Sequence, residues 1–448
     1  MKKRASLHNL GCKVNAYELD VMEGLLEEAG YEIVPFSEPA DVMIVNTCTV
    51  TNIADRKSRQ MLHRARRLNP EALIVAVGCY VQVGREQALK DEGIDLCIGN
   101  NKKGEIVSLL SECLKDRDAK MHGIIDIGDR CGYEDMQLKK ISDHTRAYIK
   151  IQDGCNQFCT YCIIPFARGR VRSRRPEEVL REVERLAGQG LKEFVVTGIH
   201  ISSYGYDLAY PDERPMANRF AEEELLSLLR AMDKVPGVER IRLSSLEPRI
   251  VGDSFLEGIA GLGSICPHFH LSLQSGSDSV LRRMNRQYST EDFERRVELL
   301  RSHFDDPAVT TDIIVGFPGE TEEEFEQTLA FAERIGFFGM HIFPYSRRKG
   351  TPAASMEGQL TEAEKALRSD RLEEVGKRTS AVFCERWTGR RAEVLFEEEK
   401  QIGGKTFLTG HTREYIRTAV EKTDAKAGDI RTVTLSGDAG DGFCRGIE

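Results

Sequence analysis

Short apolar runs alternate with helix-period segments along most of this chain, and that alternation constrains the fold more than any other feature. Chains patterned this way build parallel sheets whose strands are joined by helical crossovers. In the first third, Ser6–Leu10, Asp41–Val45, Ala72–Val77 and Ile94–Ile98 read as strands, with helices over Ala16–Ala29 and Ala54–Leu68. Gly30 ends the first helix as its C′ residue. The pattern predicts an open α/β domain over residues 1–114, with ligands gathered beyond the carboxyl ends of its strands.

A polar, irregular stretch, Lys115–Ser142, precedes a second α/β series over residues 141–375. Its strands are Ala147–Ile151, Phe194–Thr197, Arg240–Ser244, Phe269–Leu273, Thr311–Val315 and Gly339–Phe343. Helices lie between them at Thr290–His303 and at Glu322–Ile335, the latter capped by Thr321 with Glu324 in the N3 position. Repeated βα units predict a full or partial barrel whose active site faces the C-terminal strand ends. After a charged helix over Thr361–Thr379, residues 376–448 carry short strands (Ala392–Phe396, Thr406–Thr409, Tyr415–Val420, Thr432–Leu435) split by Gly and Asp turns, the pattern of a small β-barrel. Three such units fit 448 residues at roughly 100 to 200 residues per domain.

With 30% charged residues and no apolar run approaching ~18 residues, a membrane span is not expected. Basic residues open the chain without an apolar segment behind them, so the expected location is cytoplasmic and reducing. There, 12 cysteines are better read as ligands or nucleophiles than as disulfides. The strongest local signal is Cys155-Asn156-Gln157-Phe158-Cys159-Thr160-Tyr161-Cys162. Three thiolates this close converge on one metal centre if a loop wraps around it. Structural zinc wants four closed ligands, and no nearby Cys or His completes the set. Three thiolates can instead hold a 4Fe-4S cluster with one iron open. Cys12, Cys48 and Cys79 are dispersed, yet each falls just past a predicted strand of the first domain, so they can meet on one sheet edge. Buried packing is the alternative for each. Cys97, Cys113, Cys131, Cys266, Cys384 and Cys444 have no partner spacing and read as structural.

The CxxxCxxC spacing with Tyr161 before the last cysteine resembles the radical S-adenosylmethionine superfamily. The resemblance implies that Cys155, Cys159 and Cys162 hold a 4Fe-4S cluster, and that S-adenosylmethionine bound at its open iron yields a 5′-deoxyadenosyl radical. Together with Gly11-Cys12-Lys13-Val14-Asn15, Asn46-Thr47-Cys48-Thr49-Val50 and Gly78-Cys79-Tyr80, the chain resembles the methylthiotransferases end to end. That implies an N-terminal domain whose Cys12, Cys48 and Cys79 bind an auxiliary 4Fe-4S cluster, a radical domain and a C-terminal TRAM barrel. The resemblance also places Tyr161, Thr197, Gly198, Gln274 and Gly316 at the S-adenosylmethionine site. No side chain is assigned as a catalytic acid or base, because the clusters and two uses of S-adenosylmethionine carry the chemistry.

Gly11-Cys12-Lys13-Val14-Asn15, the segment Gln152–Gly169 and Thr197-Gly198-Ile199-His200 are similar to the branch that acts on N6-threonylcarbamoyladenosine at tRNA position 37. The isopentenyladenosine branch has a Gln-Met-Asn type opening and the ribosomal-protein aspartate branch a Pro-Lys-Asn type. The implied partners are a tRNA anticodon loop, a flavodoxin- or ferredoxin-type reductant and a sulfur donor. From Lys139 to Arg175 there are nine Lys/Arg against Asp143 and Asp153, a local excess of basic charge within a chain of net charge -9. Such a stretch suits an RNA backbone. Tyr415, Arg413 and Arg417 in the terminal barrel could add stacking and phosphate contacts. A non-catalytic iron-sulfur RNA-binding protein is the rival of another class.

Overall fold

The computed structural model describes residues 2–116, 121–128, 131–139, 145–211, 220–421 and 423–448. Strands β1 (Arg4–Asn9), β2 (Glu32–Ile33), β3 (Val42–Thr47), β4 (Leu73–Gly78), β5 (Leu96–Ile98) and β6 (Met121–Gly123) form one parallel sheet in the order β2-β1-β3-β4-β5-β6. Every residue of β3 and β4 is buried, as expected when helices cover both faces. Helix α1 (Lys13–Glu28) follows β1 and α2 (Asn52–Leu68) follows β3. Thr51 caps α2 by accepting from the Ala54 N–H. Gly30 sits at C′ of α1 with φ +90°. The sequence pattern misses β6, which lies inside the stretch expected to be irregular and extends the sheet at its edge.

Six further parallel strands follow: β7 (Arg146–Asp153), β9 (Glu193–Gly198), β10 (Arg240–Leu243), β11 (His268–His270), β12 (Ala308–Val315) and β13 (Gly339–Pro344). They fall into ladders β10-β9-β7-β8 and β11-β12-β13, where β8 (Arg172–Ser173) runs antiparallel to β7. Single bridges Ile241↔Ile265 and Leu246↔Leu271 tie the two ladders together, and Gln274↔Ile313 extends the pairing of the β11 segment with β12. The result is a partial barrel. The helices Thr290–His303 and Glu322–Ile335 have the expected bounds, and Thr321 with Glu324 forms the expected capping box.

The helix Glu362–Trp387 runs past its expected end at Thr379, and residues 375 and 376 fall inside it. Its last turns carry Phe383 and Trp387 into the core of the terminal barrel, beside Val394, Phe396 and Val433. That barrel closes in the order β14 (Arg391–Ile402), β15 (Lys405–Thr412), β16 (Arg417–Val420), β18 (Phe443–Ile447), β17 (Ile430–Gly440). Closure leaves no free sheet edge. A single apolar cluster runs from Tyr17, Val21 and Leu26 of α1 through Ile149 and Ile151 of β7 to Phe293 and Phe325, so the first sheet and the partial barrel share one core across α1. Among the described residues no helix is long and apolar enough to cross a membrane.

Candidate active site between two cysteine triplets

Cys12, Cys48 and Cys79 lie just past β1, β3 and β4, three adjacent strands that run in the same direction and so end on one edge of the sheet. Cys12 is the N-cap residue of α1 and exposed, whereas Cys48 and Cys79 are buried. Gly78 has φ +100°, and a Cβ there would stand 2.8 Å from Asn46 Oδ1, so glycine is what lets β4 turn directly into Cys79. Asn15 braces the edge: its Nδ2 donates to the Leu10 carbonyl at 2.7 Å and the Thr47 carbonyl at 3.0 Å, while Asn46 Nδ2 donates to the Asn15 carbonyl at 2.8 Å. Burial, then the neighbouring Cys79 and Cys12 sulfurs, pushes the Cys48 thiol up to about 12.

The second triplet is delivered by β7. Gly154, at φ +73°, follows that strand, and a Cβ on it would come within 1.8 Å of the Arg170 carbonyl oxygen. The loop closes where the Cys155 N–H donates to Gly169 at 3.0 Å and the Cys162 N–H to Cys159 at 2.9 Å. The barrel grips it from the far side: Thr160 donates from N to the Met284 carbonyl at 3.1 Å and from Oγ1 to the Arg283 carbonyl at 2.8 Å, and Asn285 Nδ2 donates to the Phe158 carbonyl at 3.2 Å. Arg286 Nη1 stands 3.3 Å from Cys159 Sγ. Burial, then the Cys159 sulfur, pushes Cys155 up to about 12, and Cys162 is raised for the same reasons with Cys155 adding to them.

The donor chemistry discriminates between metals. A tetrahedral zinc, with Zn–S bonds of about 2.3 Å, holds its sulfurs within roughly 4 Å of one another. Neither triplet brings its three sulfurs within 4.8 Å of one another; among the described residues only His270, Asp312 and His341 gather ligand atoms that closely. A multi-iron cluster, in which each thiolate binds a different iron, asks for the wider spacing.

A cavity of about 260 Å³ joins the two sets of residues. Val50 and Thr51, just after Cys48, form one wall, and Tyr161, Cys162, Gln274, Asp312 and Tyr345 contribute to the others. Of the residues that the sequence points to for S-adenosylmethionine, Tyr161 and Gln274 line this cavity. Thr197 is buried at the end of β9, and Gly198 packs on Gln152, so both belong to strand packing beside the Cys155 loop. At Gly316 a Cβ would meet Lys365 Cγ at 2.3 Å, and its N–H donates to Glu320 at 2.7 Å. Its visible constraint is the contact with the helix Glu362–Trp387.

Lys150, Arg168, Arg172 and Arg174 of the basic stretch are buried, whereas Lys139 and Arg175 are exposed. Glu18 and Asp153 receive Lys150 and Arg168, each within 2.7–3.1 Å, and Glu18 also receives Lys103. Arg174 pairs with Glu182, and Arg146 with Glu193 and Glu397. Lys140 and Asp143 lie outside the described residues. Arg168 Nη2 also donates to Asn15 Oδ1 at 2.7 Å, so this network ties the loop after Cys162 to the edge that carries Cys12. Burial alone would raise the Glu18 carboxyl, but Arg168, Lys103 and Lys150 outweigh it and hold it well below the usual carboxylate range. A second clasp joins the parts at Arg348, which donates to Asp55 and Thr49 at 2.8 Å, beside Cys48.

Further exposed positive charge is found on α2, which starts after the Val50–Thr51 wall and carries Arg56, Lys57, Arg64 and Arg67 facing solvent along its length. The run of basic residues in Asn52–Leu68 was the available signal. In the terminal barrel, Tyr415 and Arg413 dock it onto the core. The Tyr415 ring is stacked between His268 at 4.8 Å and His411 at 4.4 Å under Arg242, and Arg413 Nη2 donates to the Gly263 and Ile265 carbonyls. Arg417 alone of the three is exposed. Cys384 and Cys444, read from sequence as lone residues, hydrogen-bond to each other between the long helix and β18.

Comparison with known proteins agrees with this geometry. The profile of the Radical SAM superfamily matches residues 149–332, and that of the Uncharacterized protein family UPF0004 matches residues 4–99. The chain is 39% identical over 432 residues to the threonylcarbamoyladenosine tRNA methylthiotransferase MtaB of Bacillus subtilis (strain 168), covering 96% of this chain and 93% of that one. It is 38% identical over 416 residues to the protein of the same name from Thermotoga maritima, covering 93% and 91%. Identity to the tRNA-2-methylthio-N(6)-dimethylallyladenosine synthase of Pelotomaculum thermopropionicum is 34% over 436 residues, covering 95% and 94%. In fold it is similar to the radical S-adenosylmethionine methyltransferase TsrM of Kitasatospora setae, with TM-score 0.54, 18% identity, and 79% and 77% of the two chains covered. Two cysteine triplets on adjoining strand ends, and full-length identity of this order, place the chain in the radical S-adenosylmethionine methylthiotransferase family, in the branch of the threonylcarbamoyladenosine tRNA methylthiotransferases.

Proposed function

We propose that this protein replaces the C2 hydrogen of N6-threonylcarbamoyladenosine in tRNA with a methylthio group, giving 2-methylthio-N6-threonylcarbamoyladenosine. The observation that carries the reading is the cavity walled by the segment after Cys48 on one side and by Cys162 on the other. A base held there would lie between Cys162 and the segment that follows Cys48. In this reading Cys155, Cys159 and Cys162 hold one 4Fe-4S cluster, and Cys12, Cys48 and Cys79 hold the other. When bound, the clusters and S-adenosylmethionine supply the one-electron chemistry and the methylthio group, which acid and base side chains cannot supply at an aromatic C–H.

The chain's own residues position and exclude. Tyr161 and Gln274 bound the cavity where S-adenosylmethionine would lie, and the resemblance adds Thr197, Gly198 and Gly316 from the strand ends behind them. Arg286, with Nη1 3.3 Å from Cys159 Sγ, ties the Cys155 loop to the barrel wall. The Glu18 network and the Arg348 clasp brace the two triplets against each other, because breaking a buried ion pair from one side leaves a desolvated charge. The substrate tRNA would meet the four exposed cations of α2, with the anticodon loop entering the cavity and its target base splayed out. A TRAM-type role for the terminal barrel, a flavodoxin- or ferredoxin-type reductant, a separate sulfur donor and a cytoplasmic location complete the reading. The test is mass spectrometry of tRNA nucleosides from cells with and without the gene. The methylthio nucleoside should disappear and its unmethylthiolated precursor accumulate. Loss of the isopentenyladenosine derivative instead, or no change in tRNA, would overturn the assignment.

A further inference from the structure

One cation directly after Cys12 has no carboxylate assigned to it among the described residues. Lys13 is the first residue of α1, directly after Cys12, and its side chain is exposed. Its ammonium lies in the field of Arg242, Arg146, Asp312 and Cys12, and of His268 and His341 across from it. Among the described residues no carboxylate forms an ion pair with it. The two arginines beside it are already matched, since Glu193 receives Arg242 at 3.2 Å and Arg146 at 3.3 Å. Asp312, the remaining carboxylate in reach, is held by His270 Nε2 at 3.2 Å and lines the cavity with Cys162. Asp312 of β12 thus gives the cavity lining a carboxylate with acceptor capacity to spare, and Lys13, directly after Cys12 and within the field of Asp312, gives an unmatched ammonium beside it.

His270, Asp312 and His341 could suggest a metal ion, since their ligand atoms lie within 4.8 Å of one another. The adjacent unmatched lysine disfavours a metal cation there. The same charge favours an organic anion that also carries hydrogen-bond donors.

We propose that Lys13 and Asp312 read the threonylcarbamoyl arm of the substrate, Lys13 pairing with its carboxylate and Asp312 accepting from its hydroxyl or ureido N–H. This rests on the function proposed above and names how its substrate is distinguished from an adenosine without the arm. Charge-assisted pairs of this kind separate ligands that carry the group from ligands that lack it by about tenfold or more.

The test uses the anaerobically reconstituted full chain and two anticodon stem-loop RNAs that differ only in whether the target adenosine bears the threonylcarbamoyl group. Wild-type protein should bind the modified RNA at least about tenfold more tightly. Lys13→Gln should bind both RNAs as weakly as wild type binds the unmodified one, and Lys13→Arg should restore part of the preference. The methyl ester of the arm's carboxylate, offered to unmutated protein, should reproduce the Gln result without any question of folding or cluster content. If Lys13→Gln keeps the full preference, loses affinity for both RNAs equally, or if the ester binds as well as the acid, the proposal falls. If wild-type protein neither distinguishes the RNAs nor methylthiolates the modified one, the proposed function falls with it; discrimination that survives in Lys13→Gln overturns Lys13 alone.

Discussion

Replacing Glu18 with Gln changes neither the length nor the branching of the side chain, yet it removes the charge at the centre of the buried ionic network. Glu18 Oε1 receives Lys150 at 2.7 Å and Arg168 at 2.9 Å, Oε2 receives Arg168 at 3.0 Å, and Lys103 contacts it as well. All four residues are almost wholly buried. Among the described residues, Asp153 is then the only carboxylate left in an ion pair with Lys150 and Arg168, and Lys103 is left with no ion pair. Breaking a buried ion pair from one side costs about 3–5 kcal/mol, because the remaining charge stays desolvated. The pair Lys139–Glu28 is the internal control: its separation is also 2.7 Å, but both side chains are about half exposed, and such pairs contribute roughly 0–1 kcal/mol. Urea unfolding of metal-free Glu18→Gln should therefore show a loss of about 3–5 kcal/mol, and Lys139→Ala less than about 1 kcal/mol. The folded carboxyl of Glu18 lies well below its unfolded value, so its contribution is present above the ordinary carboxylate range and is lost only as pH falls toward the folded value. The difference between the two variants should accordingly be the same at pH 6 and pH 8. A Glu18→Gln loss as small as that of Lys139→Ala would refute the claim that this network holds the two triplets in place.

Substituting Cys12, Cys48 and Cys79 together by Ala, or Cys155, Cys159 and Cys162 together, should each leave about half of the reconstituted iron; full iron after removal of the first set would contradict a second cluster. Exchanging Arg56, Lys57, Arg64 and Arg67 for Gln should weaken tRNA binding and flatten its dependence on salt by roughly three to four units of logarithmic slope, about 0.9 for each phosphate no longer neutralised. An unchanged slope would remove α2 from the RNA interface. Burial, then Arg242 and Lys13, holds His268 well below its ordinary value while Tyr415 stacks on it, so the stability it contributes is present above about pH 6.5 and lost as pH falls below it. The melting temperature of the metal-free protein should drop from pH 7.5 to pH 5.5, and His268→Asn should drop less; equal drops would count against the barrel docking described for Tyr415.

The fold was legible where local signals agree with the tertiary outcome. Thr321 and Glu324 mark a helix start because the capping box is made within one turn, and Cys12, Cys48 and Cys79 could be brought together because parallel strands put their ends on one edge. The charge of residues 139–175 misled for the opposite reason. The acid that neutralises Lys150 and Arg168, Glu18, is 132 and 150 positions away, so the stretch looks unpaired until the chain is folded. Tyr415 and Arg413 resemble RNA-contacting groups by type, but positive φ at Tyr415 turns the ring under Arg242 and onto His268. The pairing of Cys384 with Cys444 and the three-residue strand β6 likewise depend on distant segments.

The central claim is most directly tested with the purified chain, reconstituted anaerobically and given S-adenosylmethionine, a low-potential reductant and tRNA that bears N6-threonylcarbamoyladenosine. Nucleosides from the digested tRNA are then analysed by mass spectrometry. The account predicts conversion to the 2-methylthio nucleoside, lost when either cysteine triplet is removed. Recovery of unaltered N6-threonylcarbamoyladenosine while S-adenosylmethionine is consumed would contradict it.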